Sequence, residues 1–306
     1  IIELPGVITW TIGMNEYFIL NYTLDNTGTG QSRYTINVPS GGLTCDILLV
    51  GGGGGGGGTA GSGGGGDVIE INNLTLQSGV YTINVGQGGI GGTTNSTLGT
   101  NGINSSFSGL GISVQAGGGG GGWALWTGTN GGNLPTLSYF THPITGVSTP
   151  TCGGVGGTGG DYNKNNAKSV ANSPSGSGGT SDNPVVGGAG GGAAPSTLGN
   201  GGNSTNAAGG SGGKGIVSTI TGSSIEYGGG GGAGSWNLSG LNPAGTATGG
   251  GGYQITNGGS FIEAENGRGG GGSLSRNGGS GVVIMKFTLQ NALITPSIIE
   301  SPGVIA

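Results

Sequence analysis

The chain has 306 residues, 85 of them glycine, with only 6% charged and a formal net charge of −5. Its seven Lys and Arg stand singly, so there is no basic patch for nucleic acid. No apolar run approaches the roughly 20 residues of a membrane-spanning helix, so neither a nucleic-acid partner nor membrane insertion is expected.

Such a glycine content suggests disorder, because glycine loses more backbone freedom on folding than any other residue. Disordered chains, however, are charged and poor in apolar runs, whereas 31% of this one is hydrophobic and gathered into short stretches. Residues 7–12 (Val-Ile-Thr-Trp-Thr-Ile) and 17–22 (Tyr-Phe-Ile-Leu-Asn-Tyr) are aromatic and β-branched and predict strands. Asp25-Asn-Thr-Gly28 supplies turn chemistry. Residues 33–38 alternate, placing Tyr34, Ile36 and Val38 on one face. A turn at 39–42 leads into the apolar strand 45–50.

A glycine tract then runs to Gly66 and ends in a strand at 67–71. Residues 80–85 (Val-Tyr-Thr-Ile-Asn-Val) echo 34–38, and shorter strands are predicted at 105–107 and 112–115. From 117 to 281 the chain is mostly Gly, Ser, Thr and Asn, with one predicted strand at 216–220 and a strong closing strand at 282–288. No segment has helical periodicity of useful length. The fold class is therefore all-β: a jelly-roll-like β-sandwich built from residues 1–116 plus 281–297.

The glycine runs at 51–58, 117–122 and 228–232 are not collagen, which needs glycine at every third place and abundant proline. A lone run reads as flexible linker. Repeated runs between strands read better as polyglycine II helices, extended with three residues per turn, whose N–H and C=O groups pair with lateral neighbours. Residues 117–280 are expected to form such a polyglycine helix bundle, joined by the tract 51–66. A loop of that length without structure of its own would be unusual in a compact domain.

The ends carry a repeat. Ile1-Ile-Glu-Leu-Pro-Gly-Val-Ile8 recurs as Ile298-Ile-Glu-Ser-Pro-Gly-Val-Ile305, with seven of eight residues identical. Residues 298–306 are accordingly expected to begin the next copy of a tandem unit, with Ile1, Ile2, Pro5, Val7, Ile8, Ile298, Ile299, Pro302 and Val304 at the inter-repeat junction. A symmetric pair of terminal strands within one domain is the rival reading. The chain lacks an initiator Met and a signal peptide, and is expected to be mature, processed or excised.

Ile47-Leu-Leu-Val-Gly-Gly-Gly, Val80-Tyr-Thr-Ile-Asn-Val-Gly86, Asn104-Ser-Ser-Phe107 and Gly278-Gly-Ser-Gly-Val-Val-Ile284 together resemble a glycine-rich domain family, over roughly residues 33 to 287. Domains of this kind occur in phage tail-fibre and adhesin proteins, large DNA virus proteins and bacterial surface proteins. A glycine-rich ectodomain of some receptor tyrosine kinases is similar in outline. The resemblance implies a sandwich with polyglycine helices, a surface or virion role, and no catalytic residues. The first 30 residues lie outside it.

Signatures of chemistry are weak. Gly51–Gly56 fits GxGxxG by composition alone, since no helix is predicted to follow and receive a pyrophosphate. Gly209-Gly-Ser-Gly-Gly213 fits the nucleophile elbow in the same empty way. His142 is the only histidine and reads as a surface imidazole; Glu263 and Glu265, two apart on a predicted strand, read as a solvated face. No catalytic, cofactor or metal site is expected. Cys45 and Cys152 permit one disulfide. Sequons at Asn21, Asn73, Asn95, Asn104, Asn203 and Asn237 permit glycosylation in a eukaryotic secretory pathway. Trp123, Trp126, Tyr139, Phe140, Trp236 and Tyr253 read as packing residues before sugar-stacking ones.

The expectation is a non-enzymatic structural repeat unit of an extracellular filament or of a virion or cell-surface fibre, with copies of itself as partners. The alternative is a receptor-binding adhesin that meets a host-surface glycan or protein through loops such as Pro135 to Thr151. Ice binding lacks the regular Thr period it would need.

Overall fold

Alternating aromatic and β-branched residues build two five-stranded antiparallel sheets. The computed structural model describes residues 7–12, 15–58, 61–94, 96–124, 138–141, 148–151, 176, 178–179, 188–194, 196–205, 208–234, 244–255, 260–288 and 297–300. The strands run β1 (Val7–Ile12), β2 (Asn15–Asn21), β3 (Gln31–Val38), β4 (Leu43–Val50), β5 (Val68–Leu76), β6 (Gly79–Gly86), β7 (Ser105–Gly109) and β8 (Ile112–Ala116). Then come β9 (Ser138–Thr141), β10 (Ser148–Thr151), the single helical turn α1 (Ser196–Gly199), β11 (Ile216–Ser218) and β12 (Ile225–Tyr227). The chain closes with β13 (Tyr253–Gln254), β14 (Phe261–Ile262), β15 (Val282–Thr288) and β16 (Ser297–Glu300).

The first sheet has the order β1-β2-β15-β4-β5 and the second β16-β3-β6-β7-β8. One buried cluster takes alternate residues from both: Phe18, Ile47, Leu49, Val283 and Met285 from the first, and Tyr34, Ile36, Ile83, Phe107 and Val114 from the second. Within it Phe18 meets Phe287 edge-on at 5.3 Å, and Tyr81 stacks on Phe107 at 5.3 Å. The one polar atom that Tyr34 brings inside is satisfied, its hydroxyl donating to the Asn21 carbonyl.

β4 and β15 break the in–out alternation because both their faces are covered. Leu48, Val50, Val68, Val282 and Ile284 point away from the shared core into a second cluster with Ala193, Ile220 and Tyr227 of the glycine-rich region. That is why Ile47-Leu-Leu-Val50 and Val282-Val-Ile-Met285 are continuous apolar runs, where β3 alternates.

A bulge interrupts the β4–β5 pairing between Cys45 and Ile47. There Asn73 takes a left-handed φ of 57°, which asparagine tolerates, and its N–H donates to the Asp46 carboxylate. Lys286, opposite on β15, holds the same carboxylate at 3.1 Å.

The sequence located most strands, with boundaries off by a few residues. The strand expected at 67–71 continues to Leu76, and the one expected at 216–220 stops at Ser218 to pair with β12. The short hairpins β9–β10 and β13–β14 were not expected. The predicted strand that was to place Glu263 and Glu265 on one face ends at Ile262. Those two carboxylates pair separately, with Arg276 and Arg268.

Candidate assembly surface and the glycine array

Glycine segments prolong the strands beyond the sheets. β4 runs straight into 51–58, the segment 61–67 runs into β5, β8 runs into 117–124, and 276–281 runs into β15. Hydrogen bonding passes without a break from sheet to array: Val50 pairs with Val68, and the next N–H, of Gly51, donates to Asp67.

Along 51–58 each successive residue addresses a different neighbour, and the pattern recurs every third residue. The N–H groups of Gly51, Gly54 and Gly57 donate to the carbonyls of Asp67, Gly64 and Gly61. Those of Gly52, Gly55 and Gly58 donate to Ile103, Thr100 and Thr97, and those of Gly53 and Gly56 to Gly279 and Arg276. The carbonyls follow the same rule, Gly52 and Gly55 accepting from Gly119 and Gly122, and Gly53 and Gly56 from Gly89 and Gly92. Gly54 and Gly57 accept from Gly272 and Ser275. The buried tract is thus paired on all sides, as buried backbone must be. Further out, Gly229 and Gly232 donate to Gly249 and Gly252, again three apart on both partners.

Such closeness excludes Cβ. A methyl group at any position from Gly51 to Gly58 would fall within 3.0 Å of a carbonyl oxygen of an adjoining segment. Where the array meets its own edge, side chains replace the missing neighbour. Asn101 and Asn104, three apart, accept the N–H groups of Gly121 and Gly118 through Oδ1 at 2.9 and 3.0 Å. Asn277 does the same for Gly91. Inside, the hydroxyls of Ser62 and Ser273 both donate to the Gly232 carbonyl. Ser105 joins sheet to array, donating to the Val50 carbonyl and accepting from Gly86.

The two octapeptide copies occupy different edges. Of the N-terminal copy, Val7 and Ile8 begin β1 at the rim of the first sheet, opposite Leu20 and Ile19. Of the C-terminal copy, Ile298, Ile299 and Glu300 form β16 at the rim of the second sheet, opposite Ile36, Thr35 and Tyr34. Ile1, Ile2, Pro5, Pro302 and Val304 lie outside the described residues.

The other sequence candidates are dispersed. Cys45 is a free, buried thiol; burial foremost, and the Asp46 carboxylate second, push its pKa up to about 12. Its suggested partner Cys152 lies outside the described residues, as do His142, Trp126, Trp236, Asn95 and Asn237. Asn73 and Asn203 are exposed, whereas Asn21 and Asn104 are half-buried. The tract that matches GxGxxG runs on to Gly58 without a helix, and residues 209–213 likewise lie outside any helix. Among the described residues no group of His, Cys, Asp and Glu is placed to hold a metal ion, and no helix is long and apolar enough to cross a membrane.

Sequence reasoning missed the capping asparagines, and it marked a turn at Asp25 to Gly28 without the role of the Asp25 carboxylate in holding it. The Asp25 carboxylate gathers the N–H groups of Thr27, Gly28, Gly30 and Gln31 together with the Thr27 hydroxyl. The Gly30 N–H foremost, and then those of Thr27 and Gln31 with the Thr27 hydroxyl, hold the carboxyl down at about 2.

The sequence pattern of the glycine-rich domain family matches residues 27–288. The matched stretch takes in β3 to β15 and leaves β1, β2 and β16 outside. No curated protein matches the chain.

Proposed function

The chain belongs to the glycine-rich domain family, and from that premise we propose that it is a non-enzymatic structural repeat unit of an extracellular filament or of a virion or cell-surface fibre. The observation that carries this reading is the octapeptide recurring 297 positions on with seven of eight residues kept. A segment that recurs at such a spacing is suited to a tandem array, in which each copy leans on the next.

Architecture supports the same reading. The common core of the two sheets supports a jelly-roll-like sandwich, and the three-residue period of the hydrogen bonds supports polyglycine II helices packed side by side. A bundle of this kind offers few flexible loops to proteases. It also needs little surface charge when its units are held in a filament, in keeping with a chain only 6% charged. The partners of such a unit are other copies of itself, and its place is outside the cell or on a virion.

A receptor-binding adhesin is the second reading, favoured by the β9–β10 hairpin within Pro135 to Thr151, a short paired element suited to display. Electron microscopy of the native material separates the two. Filaments with a regular axial repeat are expected; isolated particles, or tips on otherwise different fibres, would transfer the weight to the adhesin.

A further inference from the structure

The octapeptide does two different jobs in this chain, and the halves in use are complementary. The front half of the C-terminal copy, Ile298 to Glu300, is an edge strand of the second sheet. The back half of the N-terminal copy, Val7 and Ile8, opens an edge strand of the first. Backbone pairing at a sheet edge depends on extended conformation and register more than on side-chain identity, so identical sequences are able to make identical pairings. Ile1, Ile2 and Glu3 are the same three residues as Ile298, Ile299 and Glu300.

We infer that each octapeptide is a crossing between two copies of the unit: its first three residues close the second sheet of one copy, and its last two open the first sheet of the next. Ile1, Ile2 and Glu3 then lie opposite Ile36, Thr35 and Tyr34 of the preceding copy, in the register that β16 keeps here. The boundary between units falls at the Pro-Gly pair, Pro5-Gly6 or Pro302-Gly303. Both junction strands are rim strands, β1 of the first sheet and β16 of the second, and both lie outside the family match, as the interior strand β2 also does. Four residue steps separate Glu3 from Val7, which extended backbone covers in about 14 Å at most, and proline fixes φ at one of them. Successive copies would therefore be joined by a short, stiff link.

This inference rests on the tandem reading but is tested apart from it. A chain of residues 1–296 lacks β16 and leaves the β3 edge open, while keeping the tripeptide that fits there. With Ile2→Cys and Thr35→Cys in a Cys152→Ser background, mild oxidation should convert most of the protein into disulfide-linked dimers and longer ladders. The same two cysteines in the full chain should stay monomeric, because β16 fills the edge; moving the second cysteine to Asn84, on the interior strand β6, should abolish the ladder. Folded monomers alone from the 1–296 chain overturn the inference.

If that truncation does not fold, two fused units decide the matter. The cysteine at Ile2 of the second unit should link to Thr35 of the first, located by mass spectrometry, and a link to Thr35 of its own unit overturns the inference. Native filaments without this linkage would refute the crossing and leave the fibre standing; the linkage without filaments would do the reverse.

Discussion

The side-chain oxygen of Asn101 accepts the N–H of Gly121 at 2.9 Å, in the place where deeper glycines meet a backbone carbonyl. The amide thus imitates a peptide group that the next segment would have supplied, and it ends the array without leaving a buried donor unpaired. Asn104 repeats the device one period away, on Gly118.

Asn101→Ala should therefore destabilise the fold by about 1–3 kcal/mol, the usual cost of a buried donor left without its acceptor. Asn101→Gln should not restore the loss, because the longer side chain displaces the oxygen. Chemical denaturation of the two variants beside the parent chain tests this; full stability in Asn101→Ala would show that water replaces the amide at no cost.

Alanine scanning of glycine should divide into two classes. Gly54→Ala sets a methyl group against the Gly120 carbonyl and should prevent folding or cost on the order of 3 kcal/mol or more, as overpacking of rigid backbone does. Gly222→Ala meets open space at a φ of +85° and should cost only about 1–2 kcal/mol, from the left-handed backbone alone. Melting temperatures of the pair, read with near-ultraviolet circular dichroism, separate crowding from backbone strain.

Acid should loosen the Asp25 loop selectively. The carboxyl titrates at about 2 in the folded chain, against 3.8 ordinarily. Its stabilising share is therefore complete above pH 4 and is lost as pH falls from there toward about 2. The protection factors of the Thr27, Gly28, Gly30 and Gln31 amides, exchange rates referred to the intrinsic rate at each pH, should fall across that window, and Asp25→Asn should remove that fall. Because the group is exposed, the change in global stability should be small.

The Cys45 thiol should resist modification. With its pKa at about 12, almost none is thiolate at pH 8, and burial withholds the rest from reagent. A maleimide should leave the Cys45 peptide unlabelled in the native protein and label it fully in denaturant, as mass spectrometry of the digest would read. Native labelling at the rate of a free thiol would mean that β4 opens far more often than a core strand should.

Much of the framework was legible because the sheets obey the simple period of two. Tyr34, Ile36 and Val38 announced their face by alternation, and the unbroken run from Ile47 to Val50 announced a strand, later seen to be covered on both sides. The glycine array is written in a period of three that is faint wherever every residue is glycine. Only at its margin does the code surface: in Gln87-Gly-Gly-Ile90-Gly-Gly the side chains fall every third place, and Ile90 stands exposed while Gly89 and Gly92 are buried. Two repeats of a triplet are easily lost in so glycine-rich a chain. The capping asparagines were invisible for a related reason, since nothing in a surplus of Asn marks the few that end a lattice. The octapeptide stands out in the sequence, but repetition alone does not disclose which edge each half will take.

The threefold addressing of 51–58 also gives the array something like a reading frame. Inserting or deleting three residues returns every later N–H to its former neighbour and merely lengthens or shortens the segment. One or two residues turn each donor toward a different partner and put all subsequent pairings out of phase. Length variation within these tracts should thus come in multiples of three, a rule imposed on the protein by its own backbone though it has the look of one imposed by the codon.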